Sequence, residues 1–523
     1  MPSGIPFIVG NEAAERFSFY GMKAILTVFM IQHLKMSDST ANEWYHNFGG
    51  LVYALPILGA LLSDLFLGKY RTILYLSLVY CLGHLVLALN ESQNGLFWGL
   101  LLIAFGSGGI KPCVSTHVGD QFDDTNKSLI TKVYGIFYFS INFGSFFSTL
   151  LIPYLLQKYG PSIAFGLPGL LMFLATFVFW LGRKKFVHIP ANPKLILEEI
   201  CTKNFLSLAI KLGVIYLFIS VFWALYDQTG SSWVIQSNST FMNKTIDLGF
   251  IKFDVLAAQI HAINPIFVMI LVPIFSFLIY PAIEKKIKFK PLYKICIGMF
   301  LCALSFFIIA YAESKIYLGI EVSVVWQILA FLVLTVGEVL LSLTALEYSY
   351  TQAPVSVKSI VMSLYLMSIS LGNFTTAAIN KFIVHDFKAE KITTEHGLVM
   401  IKSSENHLSG DKINLNKNIE LLEDKEYKVG EKKEALAGTF LLGKLDSNTY
   451  VLWDINRKPV KVIQESIFKE EEIKNCFSTY SLNGPAYFNF FGYFMLIASI
   501  IFMPFAIFIK DKSYFQKGLE GGA

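Results

Sequence analysis

The chain has 523 residues, of which 54% are hydrophobic and only 15% are charged. Soluble domains contain roughly 45 to 50% apolar residues, so this composition excludes an ordinary soluble enzyme and indicates an integral membrane protein. The 43 Lys and Arg residues against 38 Asp and Glu residues give a net charge of +5, which is too small and too balanced to indicate a nucleic-acid-binding surface. The six cysteines form no CxxC pair, so neither a disulfide framework nor a metal site is predicted.

The apolar residues fall into windows long enough to cross a bilayer. A helix that crosses a hydrocarbon layer of about 30 Å needs roughly 20 mostly apolar residues, and these windows are too long and continuous for barrel strands. We therefore predict an all-α membrane protein with about twelve spans, near residues 7–34, 46–67, 72–89, 95–117, 133–156, 162–182, 209–228, 262–283, 294–313, 322–346, 360–382 and 485–509. The first window contains Glu12, Glu15 and Arg16, so it lacks the clean apolar core of a cleaved signal peptide.

The loops between these windows differ in basic charge. If the N-terminus is inside, the inner loops hold 18 Lys and Arg residues and the short outer loops hold 5. The positive-inside rule then places both termini in the cytoplasm and the protein in the plasma or inner membrane. A polar stretch separates the sixth and seventh windows, as in a transporter of two rocking lobes. The predicted units are residues 1–182 (six-helix half), 183–208 (cytoplasmic linker), 209–383 (helices 7 to 11), 384–484 (inserted domain) and 485–523 (helix 12 and tail).

The region 384–484 is unlike the rest of the chain. It contains 15 basic and 17 acidic residues, and this charge density places it outside the bilayer, on the extracytoplasmic side. Alternating stretches at 449–455 and 459–463, separated by turn residues, predict a small β-rich domain. The simplest interpretation is a solvated insertion without a role in transport.

The first predicted helix keeps four ionisable residues within its span. Glu12, Glu15, Arg16 and Lys23 follow the spacing of one helical face, and Tyr20 lies on that face as well. Ionisable groups cost about 2.5 to 3.5 kcal/mol each at the centre of a membrane helix, so a span that keeps four aims them at a cavity or at one another.

Residues 12–21, which read EAAERFSFYG, resemble the ExxERFxYYG signature of the proton-coupled oligopeptide transporters, a branch of the major facilitator superfamily. The match departs at Phe19, which replaces the first tyrosine and removes one hydroxyl from the expected pocket. This resemblance implies a twelve-helix bundle of two six-helix halves, and it covers nearly all of the predicted spans but not 384–484. Six further motifs agree in order: Tyr53–Pro56 with Gly59–Thr72, Gly108–Pro112, Phe137–Ser145, Phe222–Gln228, Asn264–Pro265 and Gly337–Glu338.

A short peptide is a zwitterion, so a general peptide pocket should be polarised. Arg16 and Lys111 suit the peptide carboxylate, and Glu338 with Asn142 and Asn264 suits the ammonium group and the peptide bond. The resemblance implies the same positions. An adaptable apolar wall is expected from the aromatic residues Phe19, Tyr20, Tyr53 and Trp223.

Proton coupling is expected from carboxylates that share a cation with the substrate. Movement of Lys111 between the peptide and Glu12 or Glu15 would couple proton affinity to substrate binding. His46, at the start of the second window, is a candidate for proton entry at an extracellular mouth.

Two groups of charges are candidates for gates. Asp227 on the seventh span could pair with Lys23 on the first, and the alternative for Asp227 is helix-end capping. Asp64, Lys69 and Arg71 fall at the cytoplasmic end of the second span, where the wider superfamily has a charge-relay motif.

These patterns favour a proton-driven symporter of di- and tripeptides that works by alternating access, with no catalytic residue and no cofactor other than the coupling proton. One alternative within the family is a carrier of nitrate or another small anion. Another is a membrane receptor or enzyme that uses 384–484 as its sensor or catalytic unit. The oligomeric state is not predicted.

Overall fold

The computed structural model describes residues 1–122, 129–188, 202–247, 249, 252–287, 289–352, 358–415, 438–461, 467, 468 and 477–508. Within these ranges eleven helices are long and apolar enough to cross a membrane. The helix Ile5–Val28 is also long enough to cross a membrane, but it is not among these eleven because it contains four ionisable residues. The predicted helical bundle is therefore confirmed.

We number these helices α1 to α12. Several are bent or pass through a wider helical turn, and their bounds include those segments. They are α1 Ile5–Val28, α2 Asp38–Leu67, α3 Lys69–Leu89, α4 Gln93–Gly119, α5 Ile130–Tyr159, α6 Pro161–Lys185, α7 Phe205–Ser237, α8 Ala257–Glu284, α9 Pro291–Tyr317, α10 Val325–Ser349, α11 Ile360–Phe382 and α12 Pro485–Phe508.

The bundle consists of two halves, each with its own hydrophobic core. One core contains buried residues of α1 to α6, and the other contains buried residues of α7 to α12. Tyr53 packs against both cores, so it lies where the halves meet. Apolar side chains that cover the outside of the bundle, such as Phe277 at 78% exposed, face lipid in the membrane.

Glycines allow two helices of the first half to approach closely. A Cβ at Gly59 on α2 would lie 2.3 Å from the carbonyl oxygen of Gly109 on α4, and a Cβ at Gly108 would lie 2.8 Å from that of Val52. Only a residue without a side chain fits at these positions. This contact fixes α4 against α2 and thereby positions Lys111.

The insertion between α11 and α12 is a β domain, which confirms the β-rich prediction. Within the described residues the domain has eight strands: β1 Val384–Asp386, β2 Ala389–Glu395, β3 Leu398–Ser403, β4 Lys412–Leu415, β5 Gly438–Lys444, β6 Thr449–Trp453, β7 Ile467–Phe468 and β8 Phe477–Tyr480. They form one antiparallel sheet in the order β7-β2-β3-β6-β5-β4-β8-β1. In the second predicted stretch, Pro459 and Lys461 form isolated bridges, and residues 462 and 463 lie outside the described residues.

The β domain sits on one end of the bundle, which we call the domain face. The opposite end, where the chain passes from α6 to α7, is the linker face. The domain is joined to the second half where the amide of Ser481 donates to the carbonyl of Ile383 at 2.8 Å, and where the hydroxyl of Tyr317 donates to Asp411 Oδ1 at 2.7 Å. Tyr480 of β8 belongs to the core of the second half.

The domain also contacts the first half, at the start of α2. Lys412 Nζ lies 2.6 Å from Asp38 Oδ2, and the amide of Asp38 donates to Thr439 Oγ1 at 3.0 Å. Burial lowers the pKa of Lys412, but the Asp38 and Glu313 carboxylates raise it by more, so the pKa lies above its ordinary value. The lysine is therefore charged at neutral pH, and it pairs the domain with the first half.

Replacement of residues 385–479 by a short Gly-Ser linker should leave the bundle folded. The reason is that β1 and β8 are paired where they leave and re-enter the bundle, so a few residues span the gap. Size-exclusion chromatography in detergent should show a monodisperse peak. The midpoint of thermal unfolding should fall by about 1 °C for the lost ion pair, because a partly exposed pair is worth about 1 kcal/mol or less and the bundle is large.

A longer deletion of residues 383–484 is the matched control. It removes Ile383 and Tyr480 from the core of the second half and should lower the midpoint clearly further. Aggregation of the shorter deletion would show that the domain is required for folding.

Candidate functional site

The first cluster of charges lies on α1, inside the first half. Glu12 and Glu15 are 2% and 1% exposed. Arg16 Nε lies 2.7 Å from Glu12 Oε1 and 3.3 Å from Glu15 Oε2, so a single guanidinium group joins both carboxylates. The spacing of three and four residues explains this contact, because it places the three side chains on one face of the helix.

Lys111 on α4 completes this cluster, and the carboxylate that it meets is Glu15. Its Nζ lies 3.5 Å from Glu15 Oε1 and donates to Ser107 Oγ at 3.1 Å. The Ser107 hydroxyl donates in turn to Glu15 Oε1 at 2.5 Å. Ser107 therefore bridges the lysine and the glutamate, a role that we did not predict from the sequence.

Aromatic rings surround the ammonium group of Lys111. The Phe19 ring centre lies 4.2 Å from Nζ and the Tyr53 ring centre 5.9 Å away. The Phe19 ring also meets the Tyr20 ring edge-on at 5.5 Å. The residue that departs from the family signature thus supplies a cation–π contact in place of a hydroxyl.

The second cluster lies in the other half and centres on Glu338 of α10. The Tyr226 hydroxyl donates to Glu338 Oε1 at 3.0 Å, and Asn264 Nδ2 donates to Oε2 at 2.9 Å. No described Lys, Arg or His nitrogen forms an ion pair with Glu338. Glu338 directly precedes a wider helical turn, Val339–Leu343, and such turns are frequent at functional sites.

Two further predicted peptide-binding residues, Trp223 and Asn142, lie on different helices and differ in exposure. Trp223 on α7 is 8% exposed, and its ring lies 5.2 Å from that of Tyr226. Asn142 on α5 is half-buried. Arg16, Tyr20, Tyr226 and Glu338 are likewise only partly buried, although each lies within the length of a spanning helix. Partial exposure at this depth indicates that these side chains line space between the halves.

Between these clusters and the domain face, a seam of buried polar contacts joins the two halves. Lys23 Nζ of α1 lies 2.8 Å from Asp227 Oδ1 of α7, as the sequence predicts for the pair. The other oxygen, Asp227 Oδ2, accepts from Asn373 Nδ2 of α11 at 2.6 Å. Thr27 Oγ1 donates to the carbonyl of Gly230 at 2.8 Å. We call Lys23, Thr27, Asp227, Gly230 and Asn373, together with His46, the seam.

His46 lies inside this seam and is fully buried. Its Nδ1 lies 2.9 Å from Asn373 Oδ1, and its Nε2 lies 2.9 Å from Ser231 Oγ. The sequence predicts that His46 lies at an extracellular mouth, whereas the structure buries it between the two halves. Asn373 joins the histidine to Asp227, so the two candidate proton-coupling groups of the seam share one amide.

The predicted linker-face gate is only partly assembled. Lys69 forms an ion pair with Asp120 at 2.7 Å, a partner that we did not predict. Asp64 accepts from the neighbouring hydroxyl of Ser63 at 2.7 Å. Arg71 is exposed and forms neither a hydrogen bond nor an ion pair within the described ranges. The gating roles of Asp64 and Arg71 stay predictions.

Substitution Asp227→Asn should favour opening of the domain face. It leaves the Lys23 ammonium in a dry seam without its counter-ion, and breaking a buried pair in this way costs about 3 to 5 kcal/mol. A state in which Lys23 reaches water avoids that cost. The distance between spin labels at positions 94 and 321, on opposite halves at the domain face, should therefore shift to longer values.

Asp247→Asn is the matched control, because Asp247 forms an exposed ion pair with Lys252 at 2.6 Å. It should leave the distance distribution unchanged. An unchanged distribution in Asp227→Asn as well would contradict a gating role for the seam.

Comparisons with known proteins identify a family model that matches this chain. Residues 70–213 and 207–394 match the PTR2 model, which is described as the POT family. These residues include Lys111, Asp227 and Glu338, whereas the cluster on α1 precedes them.

The relatives and solved structures agree with this match. Solute carrier family 15 member 2 of Rattus norvegicus is 38% identical over 365 residues, which make up 60% of this chain and 49% of that protein. Peptide transporter 3 of Caenorhabditis elegans is 35% identical over 364 residues, 60% of this chain and 51% of that protein. The chain thus spans about half the length of the curated relatives that it matches.

The crystal structure of the POT family transporter PepTSo aligns with a TM-score of 0.66 at 36% identity, covering 73% of this chain and 90% of that chain. The crystal structure of an auto-inhibited POT family peptide transporter aligns with a TM-score of 0.66 at 34% identity, covering 73% and 89%. The family model spans more than half of the chain, and the chain belongs to the POT family.

Proposed function

We propose that this protein is a proton-coupled symporter of di- and tripeptides that works by alternating access. Relatives that match the chain are named as peptide transporters. The observation that carries the proposal is the division of charge between the halves. The first half holds Arg16 and Lys111 among two carboxylates, and the second half holds Glu338, which has no counter-ion within the described part of the chain.

The first cluster explains why peptide and proton would move together. Arg16, Lys111, Glu12 and Glu15 sum to zero charge, so an arriving peptide carboxylate brings an uncompensated negative charge into a site of low dielectric. Uptake of one proton by Glu12 or Glu15 restores neutrality and frees Arg16 or Lys111 to bind the carboxylate. Peptide binding and protonation therefore favour each other.

The second cluster suits the other end of the peptide. Among the residues that the structure describes, Glu338 accepts hydrogen bonds only from the neutral side chains of Tyr226 and Asn264. A peptide ammonium group would supply the missing positive charge through a charge-assisted hydrogen bond. Asn142 and Trp223 would contribute to peptide binding from the neighbouring helices α5 and α7.

Alternating access follows from the seam. With Lys23 and Asp227 paired, the two clusters would be reached from the linker face; with the pair broken, they would be reached from the domain face. We place the domain face outside the cell and both termini in the cytoplasm, because the linker-face loops hold the excess of Lys and Arg. His46 and Asp227 would then receive the proton as the seam opens, and Asp64 with Arg71 would help to close the opposite side.

Uptake of a labelled dipeptide into proteoliposomes tests the proposal. An inside-alkaline gradient should drive accumulation above equilibrium, and unlabelled di- and tripeptides should compete. Competition by nitrate in place of peptides would indicate an anion carrier. Absence of gradient-driven uptake in well-folded protein would reject proton-coupled peptide symport.

Lys111→Ala should abolish gradient-driven accumulation, by at least about tenfold, while some peptide exchange survives. The variant removes the cation that Glu15 shares with the substrate and thereby uncouples protonation from binding. Accumulation and counterflow are measured in the same vesicles. Lys158→Ala is the control, since Lys158 is exposed and its polar and cation–π partners in the described ranges are the nearby Tyr154 and Tyr159. Normal accumulation in Lys111→Ala would remove the coupling role.

Glu338→Gln should weaken the binding of peptides with a free amino group by about ten- to a hundredfold, the value of one charge-assisted hydrogen bond. N-acetylated peptides, which lack the ammonium group, should be affected much less. Competition assays with matched pairs of peptides measure the difference. Glu284→Gln, at the end of α8 and 3.6 Å from Lys294, is the control. Equal loss for both peptide types would reject ammonium recognition by Glu338.

A further inference from the structure

A separate cavity lies on the domain face, between the bundle and the β domain. Its volume is about 380 Å³, within the range of roughly 300 to 1,000 Å³ of small-molecule sites. Helices α1, α2, α7, α9, α11 and α12 form its walls, and Gly410, Lys412, Thr439 and Arg457 of the domain lie across it. The inserted domain therefore roofs a chamber that the bundle alone would leave open.

The seam separates this chamber from the clusters at the centre of the bundle. Thr27 lines the chamber and at the same time donates to Gly230 in the seam. Ser232, two residues after Gly230 of the seam, also lines the chamber. The chamber is thus on the domain-face side of the seam and exists while the seam is closed.

The charged residues of the chamber balance. Three basic and three acidic side chains line it, so their formal charges sum to zero while both signs are present. A lining of this kind favours a zwitterion over a simple cation or anion. The six are Lys35, Asp38, Glu313, Lys412, Asp454 and Arg457.

Glu313 of α9 is the buried carboxylate of this lining, since Asp38 and Asp454 are only partly buried. Its side chain is 7% exposed, and Gln236 Nε2 donates to its Oε2 at 2.9 Å. Lys412 pairs with Asp38 instead, and no described basic side chain forms an ion pair with Glu313. The Lys412 charge acts on Glu313 from beyond ion-pair distance, and a nearly buried carboxylate in this position is stabilised further by a cation that reaches it.

Arg457 offers the complementary charge. Its guanidinium group donates to the carbonyl of Tyr317 and lies 5.8 Å from the Phe241 ring. These contacts hold the guanidinium group at the chamber, where its remaining donors suit a carboxylate.

We propose that this chamber is a second binding site for short zwitterionic peptides, in which Glu313 binds the ammonium group and Arg457 the carboxylate before the seam opens. The identity of the ligand rests on the proposed function. The inserted domain then has a role as the roof of this site, in contrast to a solvated insertion without a role in transport.

Equilibrium dialysis of tritiated dialanine against the purified full-length protein tests the proposal. The wild-type protein should bind two molecules per chain. Glu338→Gln, which impairs the central site, should keep one, and addition of Glu313→Gln should weaken that one by about tenfold or more. Glu313→Gln alone should leave the central site and retain one tight molecule. N-acetyl-dialanine should show no such dependence on Glu313.

Glu390→Gln is the matched control, because Glu390 is exposed on the domain and does not line the chamber. If Glu313→Gln lowers the midpoint of thermal unfolding, Glu313→Asp is used in its place. Glu313→Asp keeps the carboxylate, so its affinity for dialanine at the chamber should lie between those of the wild type and Glu313→Gln. One bound molecule per wild-type chain, with binding indifferent to Glu313 and uptake intact, would overturn the second site and leave the proposed function standing. Absence of both binding and uptake would overturn both.

Discussion

The structure depends on one constraint, which is that charges held within the bilayer must be compensated inside the protein. Hydrocarbon offers neither water nor counter-ions. Helix α1 meets this constraint in two ways. Glu12, Glu15 and Arg16 are compensated within the first half, with Lys111, whereas Lys23 is compensated by Asp227 across the boundary between the halves.

In the proposed cycle, this difference would separate binding from gating. Contacts within one half would persist while the halves rock against each other, so the first cluster could keep its geometry in every state of that cycle. Contacts between the halves must break, and a broken buried pair is tolerated only if water reaches both partners. The Lys23–Asp227 pair is therefore suited to gating, because in that cycle it would form only while the domain face is closed. The first cluster is suited to binding, because its contacts would not depend on which face is open.

The sequence predicted which residues form these sites better than it predicted which of them contact one another. Helical spacing was sufficient to group Glu12, Glu15 and Arg16, because those contacts span three or four residues. Ser107 lies one turn before Lys111 and could have been found by the same spacing. Asn373 lies 327 residues from His46, and no local pattern connects them. The choice between Glu12 and Glu15 as the partner of Lys111 likewise needed the packing of α4 against α1 and α2.

The β domain is attached to the second half of the bundle at both of its ends. Its two ends are paired through Ile383 and Ser481, and Tyr480 is packed in the core of the second half, so the domain follows that half as a unit. Its polar contacts with the first half that we describe are those of Asp38 with Lys412 and Thr439. The Asp38–Lys412 pair is partly exposed, at 15% and 30%, and pairs of this kind are worth about 1 kcal/mol or less. Opening of the domain face would therefore break the weak Asp38–Lys412 pair and the strong, buried Lys23–Asp227 pair. The free-energy cost of opening would then come mainly from the seam and not from the β domain.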